Sequence, residues 1–521
     1  MLDELQMFGR YAAGLRGFFR KKMSLEESRQ FLRERVAKRE ESLLELLRLG
    51  VWGNPQSPYL PLFRNAGIDW GGVVELIRRE GVDQGLRKLY EAGVYVTTDE
   101  FKGKKPIQRP GLEHAVSHTD FDNPLITAHF EGKTGGTGGT RRRLLIDLGM
   151  LEHDAAAHYV FLNSFDLVGR PNGIWRAVPP NNSGIKKPLM MSKIGLRLEQ
   201  WYSELPMRWG PEDFKYSAFG AFTVAVGRLS GYPFPYPQYL PGEKIGIIVD
   251  WMAEQVKAGR PVSFDSSASS AVRICAEATR SGRDISGTFF RTGSEALTPA
   301  RVAIIQKARV RVAAHYATSE TGPIAMACAE GRVNDDVHVL MSKMAVIHRA
   351  DGDHEENLLL TSLAAASPKL MINVDSGDSG RLGQRRCGCG FGQLGFTQHI
   401  SEIRSYEKLT CEGILLPPAD LLRLVEETLP GAFGGAPTDY QLVEDRVEGL
   451  SRVRIAVSPK IGPVDETAVV EAVLVAIHKG GPGGRLMANR LREAKTLSVM
   501  RREPFQSPAA KVMPLFVMRE S

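Results

Sequence analysis

The sequence predicts an α/β chain, in which a large N-terminal domain of mixed sheets and helices precedes a small α+β C-terminal unit. Two observations carry this expectation. Between residues 140 and about 400, short β-rich runs alternate with helical ones, as strands joined through helices do. After residue 403 the texture changes to a few strands and helices of a separate unit. A chain of 521 residues, 43% hydrophobic and 24% charged, is also long enough for two or more domains with cores of their own.

Residues 1–50 read as helices. Leu2, Leu5, Phe8, Ala12, Leu15 and Phe19 recur at spacings of three or four, and Ser24 with Glu27 makes a capping-box pattern before a second helix. From 50 to 130, helical segments such as 70–92 alternate with proline and glycine breaks. Next come β-rich runs at 244–249, 287–292, 311–316 and 357–362, and helical runs at 250–258, 268–281 and 299–307. Residues 231–241 form a proline/aromatic loop, either lining a pocket or making a rigid surface connection. In the last unit, 419–427 and 466–478 read as helices, 441–443, 452–457 and 512–518 as strands, and 480–484 as a glycine loop. The expected division is a helical N-terminal extension over 1–90 packed on the main domain, a core over 91–403 and a small mobile domain over 404–521.

Composition narrows the function classes. No apolar run approaches the ~20 residues that cross a bilayer, so stable membrane insertion is not expected. Residues 1–22 lack a compact apolar core followed by a small-residue cleavage site, and no secretory signal is read there. Five cysteines make no disulfide framework and suit a cytoplasmic location. Arg16, Arg20, Lys21 and Lys22 read as a solvated helix face rather than a lipid contact. The formal charge of +7 is modest, and no basic tract carries interleaved aromatics. Phosphate-bearing small molecules account for it, and nucleic acid is not an expected partner.

The most telling stretch is Thr134, Gly135, Gly136, Thr137, Gly138, Gly139, Thr140, followed by Arg141, Arg142 and Arg143. Such a loop has little side chain to hold a ligand away from its N–H groups, and its hydroxyls and arginines add donors and charge. A polyphosphate is the natural guest. The order of residues is neither that of a Walker-A loop nor that of the dinucleotide fingerprint.

Three further segments follow: Phe290-Arg-Thr-Gly-Ser-Glu-Ala-Leu-Thr298 with His315-Tyr316-Ala317-Thr318-Ser319-Glu320-Thr321-Gly322, then Pro368-Lys-Leu-Met-Ile-Asn-Val-Asp-Ser-Gly377-Asp378, then Ile403-Arg404 with Gly413 and Pro417-Pro418 behind it. In this order they resemble the acyl-adenylate-forming superfamily of acyl- and aryl-CoA ligases, and within it the phenylacetate–CoA ligase-like branch. The resemblance spans about residues 95–420, is weaker to the C-terminus and does not reach residues 1–90. It implies that Thr134, Gly135, Gly136, Thr137, Gly138 and Gly139 cradle the β- and γ-phosphates of ATP, with Arg142 where a lysine is common. It implies that Tyr316 stacks on adenine, that Ser319 and Glu320 belong to the nucleotide site with Glu320 on Mg²⁺, and that Asp378 accepts both ribose hydroxyls. Arg404 matches the family's Gly-Arg, and Lys511 its C-terminal catalytic lysine. The physical chemistry agrees: donors disperse the charge of departing pyrophosphate, and a carboxylate can hold a metal that bridges phosphate oxygens.

Cys328 together with Cys387 and Cys389 resembles a structural zinc site of some members of that branch. There a histidine follows the first cysteine by six residues; here Asn334, a poor ligand, stands in that place, leaving Asp335, Asp336 or His338 to complete the set. Two departures bear on mechanism. Ile403 replaces the glycine before the arginine, with Tyr406-Glu407 after it, which puts thioester formation in more doubt than adenylation. Asn373 replaces an arginine or tyrosine common near the aspartate, which implies an unusual pocket.

The reading is an ATP- and Mg²⁺-dependent ligase that converts an organic acid, aryl or medium apolar, to acyl-AMP. The acyl group then passes to CoA, a carrier-protein thiol or an amine. Two other readings stand beside it: adenylation of another oxyanion such as nitrite for diazotisation of an arylamine, and a nucleotide-binding regulatory protein without turnover.

Overall fold

The computed structural model describes residues 2–133, 143–179, 182–207, 209–210, 214–294, 297, 299–349, 357–405, 409–411, 414–416, 423–436, 439–447, 450–479, 482–505 and 515–518. Its dominant element is one twelve-stranded sheet, counted among these residues. In chain order the strands are β1 (Asn172–Trp175), β2 (Gln200–Ser203), β3 (Gln238–Tyr239), β4 (Ser263–Ser267), β5 (Phe289–Gly293), β6 (Arg311–Thr318), β7 (Gly322–Ala327), β8 (Val337–Val339), β9 (Met344–His348), β10 (Asn357–Ser362), β11 (Val374–Gln384) and β12 (Gln398–Ser405). Across the sheet they run β9-β10-β11-β12-β8-β7-β6-β5-β4-β1-β2-β3.

The two halves obey different rules. β3-β2-β1-β4-β5-β6 are parallel, whereas every pairing from β6 through to β9 is antiparallel. In the parallel half the crossover helices Asn182–Lys193 and Phe214–Leu229 join the large core on one face, while Gly246–Lys257, Ala268–Ser281 and Pro299–Lys307 form a second core on the other. Both faces are covered, so β1 and β4 are buried throughout, and Asp265 has to be neutralised inside the protein. Chain order reverses between β1 and β4. That is the doubly wound arrangement, with its switch point at their carboxyl ends.

The N-terminal helices Leu2–Arg20, Leu25–Ala37 and Arg39–Leu47 pack into the large core, and the capping box of Ser24 and Glu27 is present. Tyr11 Oη lies 2.9 Å from Thr223 Oγ1, and Arg10 Nε donates to the Ala128 carbonyl at 3.1 Å. The C-terminal residues form their own four-stranded sheet from β13 (Tyr440–Val447), β14 (Leu450–Val457), β15 (Leu497–Arg501) and β16 (Leu515–Val517), in the order β15-β14-β13-β16. Helices Glu466–Lys479 and Pro482–Ala494 cover it around a separate core.

Two expectations are corrected. Residues 244–249 are not a strand: a turn at Gly242–Lys244 leads into the helix Gly246–Lys257. Their β-branched composition suggests a strand, but Ile245, Ile248, Val249 and Met252 are buried at the 3.6-residue period of a helix face. Of the glycine loop expected over 480–484, the described residues from Pro482 onward are helix, while 480 and 481 lie outside the described residues. Proline is at home there, since the first turn needs no N–H donor.

Candidate functional site

The putting together of distant motifs starts at the β6–β7 junction, where the sheet changes from parallel to antiparallel. Tyr316 Oη donates to Asp378 Oδ2 at 2.8 Å, joining positions 62 apart in the chain. Both residues are buried. Burial and the neighbouring Asp378 charge hold the Tyr316 phenol well above its ordinary range, so it stays a proton donor. Asp378 sits on β11, its backbone N–H given to Ser376 Oγ at 3.1 Å, and in the β11–β12 register Arg404 pairs with Ser379 beside it. Backbone pairing thus brings Arg404 next to the Tyr316–Asp378 pair.

Ser319 and Glu320 occupy the tight turn from β6 to β7, Ser319 exposed and Glu320 half-buried. A wholly buried ion pair fixes that turn from beneath. Lys343 Nζ donates to Asp154 Oδ1 at 2.6 Å and to the Thr321 carbonyl at 2.9 Å. Gly322 makes this possible: it has φ +71°, and a Cβ there would lie 2.9 Å from Asp154 Oδ2. Burial pushes the Lys186 amine down to about 8, with Lys343 adding to the effect while Asp154 and Glu320 oppose it. Asp154, Lys186 and Lys343 are absent from the motif reading. Their only signal in the sequence is charge inside otherwise apolar segments.

The remaining motif residues are less fully placed. The strands Phe130–Lys133 and Arg143–Ile146 pair antiparallel, Lys133 with Arg143; Thr134, Gly135, Gly136, Thr137, Gly138 and Gly139 lie outside the described residues. Gly413, Pro417, Pro418 and Lys511 lie outside them too, and so do the Tyr406-Glu407 pair. Ile403 packs as a half-buried side chain against the large core. Asn373 lies in the interior. Fully buried at φ +49°, it donates from Nδ2 to the carbonyls of Leu86 at 2.9 Å and Val94 at 3.1 Å, tying the N-terminal segment to the sheet.

A second constellation lies at the far end of the antiparallel half. Cys328 follows β7, His338 stands in β8, and Cys387 and Cys389 lie between β11 and β12, their ligand atoms all within 4.8 Å of one another. Sulfur separations are 3.8, 3.8 and 3.3 Å, and His338 Nε2 lies 3.1 Å from Cys389 Sγ and 3.4 Å from Cys387 Sγ. A tetrahedral zinc with ordinary Zn–S and Zn–N bonds has edges of about 3.8 and 3.6 Å, so the donor set fits that ion. Of the three candidates for the fourth place, His338 is the one that joins the cysteines. Asp336 is engaged instead by Arg385 Nη2 at 2.6 Å and His399 Nδ1 at 2.6 Å. Gly392 is required by space, since a Cβ there would come within 2.7 Å of Cys387 Sγ.

The small domain reaches the large one through its second helix. Arg490 pairs with Glu204, both buried, and Glu493 Oε2 accepts from the Gly242 N–H at 2.6 Å. Ala177, just beyond β1, is part of the small domain's core.

The half-parallel, half-antiparallel sheet carries this motif geometry at its junction, with a small mixed domain beside it. No protein-family model matches the sequence, and no curated protein matches it significantly. Among solved structures, a 2-hydroxyisobutyryl-CoA ligase in complex with 2-HIB-AMP and CoA in the thioesterification state is similar at a TM-score of 0.55 and 14% identity, over 93% of this chain and 90% of that one. An o-succinylbenzoate CoA synthetase from Bacillus subtilis gives a TM-score of 0.42 at 10% identity, over 75% and 69%. ATP-bound MatB from Rhodopseudomonas palustris gives 0.35 at 12%, over 75% and 67%. The first of these likenesses establishes the fold. Among the described residues no helix is long and apolar enough to cross a membrane.

Proposed function

We propose that this protein is an ATP- and Mg²⁺-dependent adenylate-forming ligase of the phenylacetate–CoA ligase-like branch. The observation that carries the reading is the Tyr316–Asp378 hydrogen bond at 2.8 Å, which unites two of the family-like motifs at the sheet junction. In this reading residues 91–403 are the adenylating core, 1–90 an extension packed on it and 404–521 a mobile domain. A carboxylate oxygen of the acid attacks the α-phosphorus of ATP, the bond to the bridging oxygen breaks, and pyrophosphate leaves. The acceptor then attacks the acyl carbon and AMP departs.

Each side chain has a part. The residues from Thr134 to Gly139 supply donors to the departing phosphates. Tyr316 offers its ring to adenine while its phenol orients Asp378 toward the ribose hydroxyls. Glu320, on a turn that Lys343 and Asp154 hold rigid, would carry Mg²⁺, whose role is to neutralise phosphate charge. Arg404 flanks Asp378, and Lys511 arrives with the small domain to bridge the carboxylate and the α-phosphate. CoA is the acceptor favoured by the fold's likeness to a CoA ligase. Cys328, His338, Cys387 and Cys389 hold a structural Zn²⁺ that clamps three strand ends together.

Pyrophosphate release across a panel of acids tests the reading, with Lys511→Ala as the control. That variant should keep ATP binding and lose acyl-AMP formation by ~10²–10⁴-fold. It should still transfer an acyl group from supplied acyl-AMP. Normal acyl-AMP formation with failed transfer would reverse the role given to Lys511.

A further inference from the structure

The described residues concentrate charge at the topological switch point, where β1 and β4 part. Open α/β sheets bind ligands in the crevice outside the carboxyl ends of the strands at such a point. Arg176 directly follows β1, and its Nε donates to Asp265 Oδ1 at 2.8 Å while Nη2 donates to the Ser266 carbonyl at 2.6 Å. Lys187, from the helix Asn182–Lys193, brings Nζ to 2.8 Å from Asp265 Oδ2. Arg291 stands in β5 in register with Asp265, and its Nη1 lies 2.9 Å from His158 Nε2.

The charges do not balance. Arg176, Lys187 and Arg291 face the single carboxylate of Asp265. His158 and His315 add none, because burial first, and then the surrounding cations, push both imidazoles far down, His315 to about 3. The neighbouring Lys343–Asp154 and Arg490–Glu204 pairs each compensate themselves. Among the described residues this leaves an excess of two positive charges, and buried charge is stable only when paired. A second observation points the same way: Arg291 is 1% exposed, yet its Nε has no hydrogen-bond partner. The cluster is open on one side, at Lys187, whose side chain is 20% exposed.

We infer that the acid taken at this site carries a second anionic group, a carboxylate in the simplest case, which Arg176, Lys187 and Arg291 neutralise. The inference rests on the adenylating reading for the fate of the first carboxylate. β4 lies two strands, about 10 Å, from β6, and Tyr316 stands three residues beyond Ala313, the position in register with Asp265, so the span from Asp265 to Tyr316 is roughly 14 Å. The cluster's long side chains and the nucleotide fill part of that span, and a diacid of a few carbon atoms fits the remainder, with one end at the α-phosphate and the other at the cluster. An aryl or medium apolar acid, as the family resemblance implies, would leave the same cations without a counter-ion.

Length-matched pairs test this on the full chain: butanoate with succinate, hexanoate with adipate, benzoate with terephthalate. Calorimetry gives affinity, and pyrophosphate release gives turnover. At least one diacid should exceed its matched monoacid by about tenfold or more in affinity, as charge-assisted hydrogen bonds require. Lys187→Met should bring that ratio near one, and Lys187→Arg should restore it. Equal or tighter monoacid binding overturns the inference, as does failure of every acid to bind or an unchanged ratio in Lys187→Met. Weaker ATP or CoA binding in that variant at an unchanged acid ratio assigns the charge to those ligands and overturns it too. Should Lys187→Met fail to fold, the wild-type pairs decide alone. Diacid preference without pyrophosphate release from any acid keeps the inference and removes adenylation. Pyrophosphate release without diacid preference does the reverse.

Discussion

The cluster of Cys328, His338, Cys387 and Cys389 and the cluster around Asp265 are both buried, polar and assembled from separate strands, yet they differ in closure. The first is complete in itself: four donors face one another, suited to one cation, and the loops around them are tied by Arg385, Asp336 and His399. The second is incomplete, with three cations around one carboxylate at the open end of a parallel sheet. A site whose partners all come from the chain stabilises the fold; a site short of a counter-charge has room for a ligand.

The largest expected effect falls on the closed cluster. Cys387→Ser with Cys389→Ser should abolish binding of about one zinc per chain, measured by elemental analysis. Because metal affinity in a closed site is folding free energy, stability should fall by on the order of 5 kcal/mol in denaturant titrations. Wild-type protein that is metal-free and no less stable than metal-loaded protein would remove the distinction between the clusters.

Asp265→Asn should cost ~3–5 kcal/mol, since it strands buried Arg176 and Arg291 and half-buried Lys187. The linkage has a definite sign. Burial alone would raise this carboxyl, but Lys187, Arg176 and Arg291 hold it well below the ordinary aspartate range. Its contribution is therefore complete above the unfolded value of 3.8 and is lost only as pH falls through the depressed folded value. Melting curves of wild type and variant should stay apart from neutral pH down to about 4.

Asp378→Ala should weaken nucleotide binding by ~1–3 kcal/mol, because it leaves the Tyr316 phenol and its ligand partners unsatisfied, and calorimetry with AMP measures it. Tyr316→Phe removes one hydrogen bond and should cost only about 1 kcal/mol. Equal losses in the two variants would mean that Asp378 serves the tyrosine rather than the ribose.

An effect confined to alkaline pH concerns Lys186. Its amine titrates near 8 in the fold against 10.5 when free, so between those values the unfolded chain binds more protons. Stability should rise with pH over that window, by up to about 1.4 kcal/mol per pH unit. Lys186→Met should flatten the rise, as read from thermal melts between pH 7 and 10.

Much of this was legible in the chain. The helices Ala268–Ser281 and Pro299–Lys307 lie where apolar periodicity puts them, and so does β10. Tyr316, Glu320 and Asp378 stand out because each sits in a short motif of unusual composition, and the Cys-x-Cys pair marks itself. His338 was one of three candidates, and only the pairing of β8 with β7 and β12 selects it. Residues 244–249 misled because β-branched residues suit strands, although their spacing is helical.

The sequence by itself determined the elements, the order of the motifs and the residue types available to hold phosphate or zinc, since these depend on local spacing and composition. Only the tertiary structure decided that Asp265, Arg176, Lys187 and Arg291 share one place, and that Lys343 and Asp154 lock the turn bearing Glu320. The reason is that charge balance is a property of position in space. Residues 176, 187, 265 and 291 come from three strand regions and a helix that become neighbours only when the chain reverses its winding between β1 and β4.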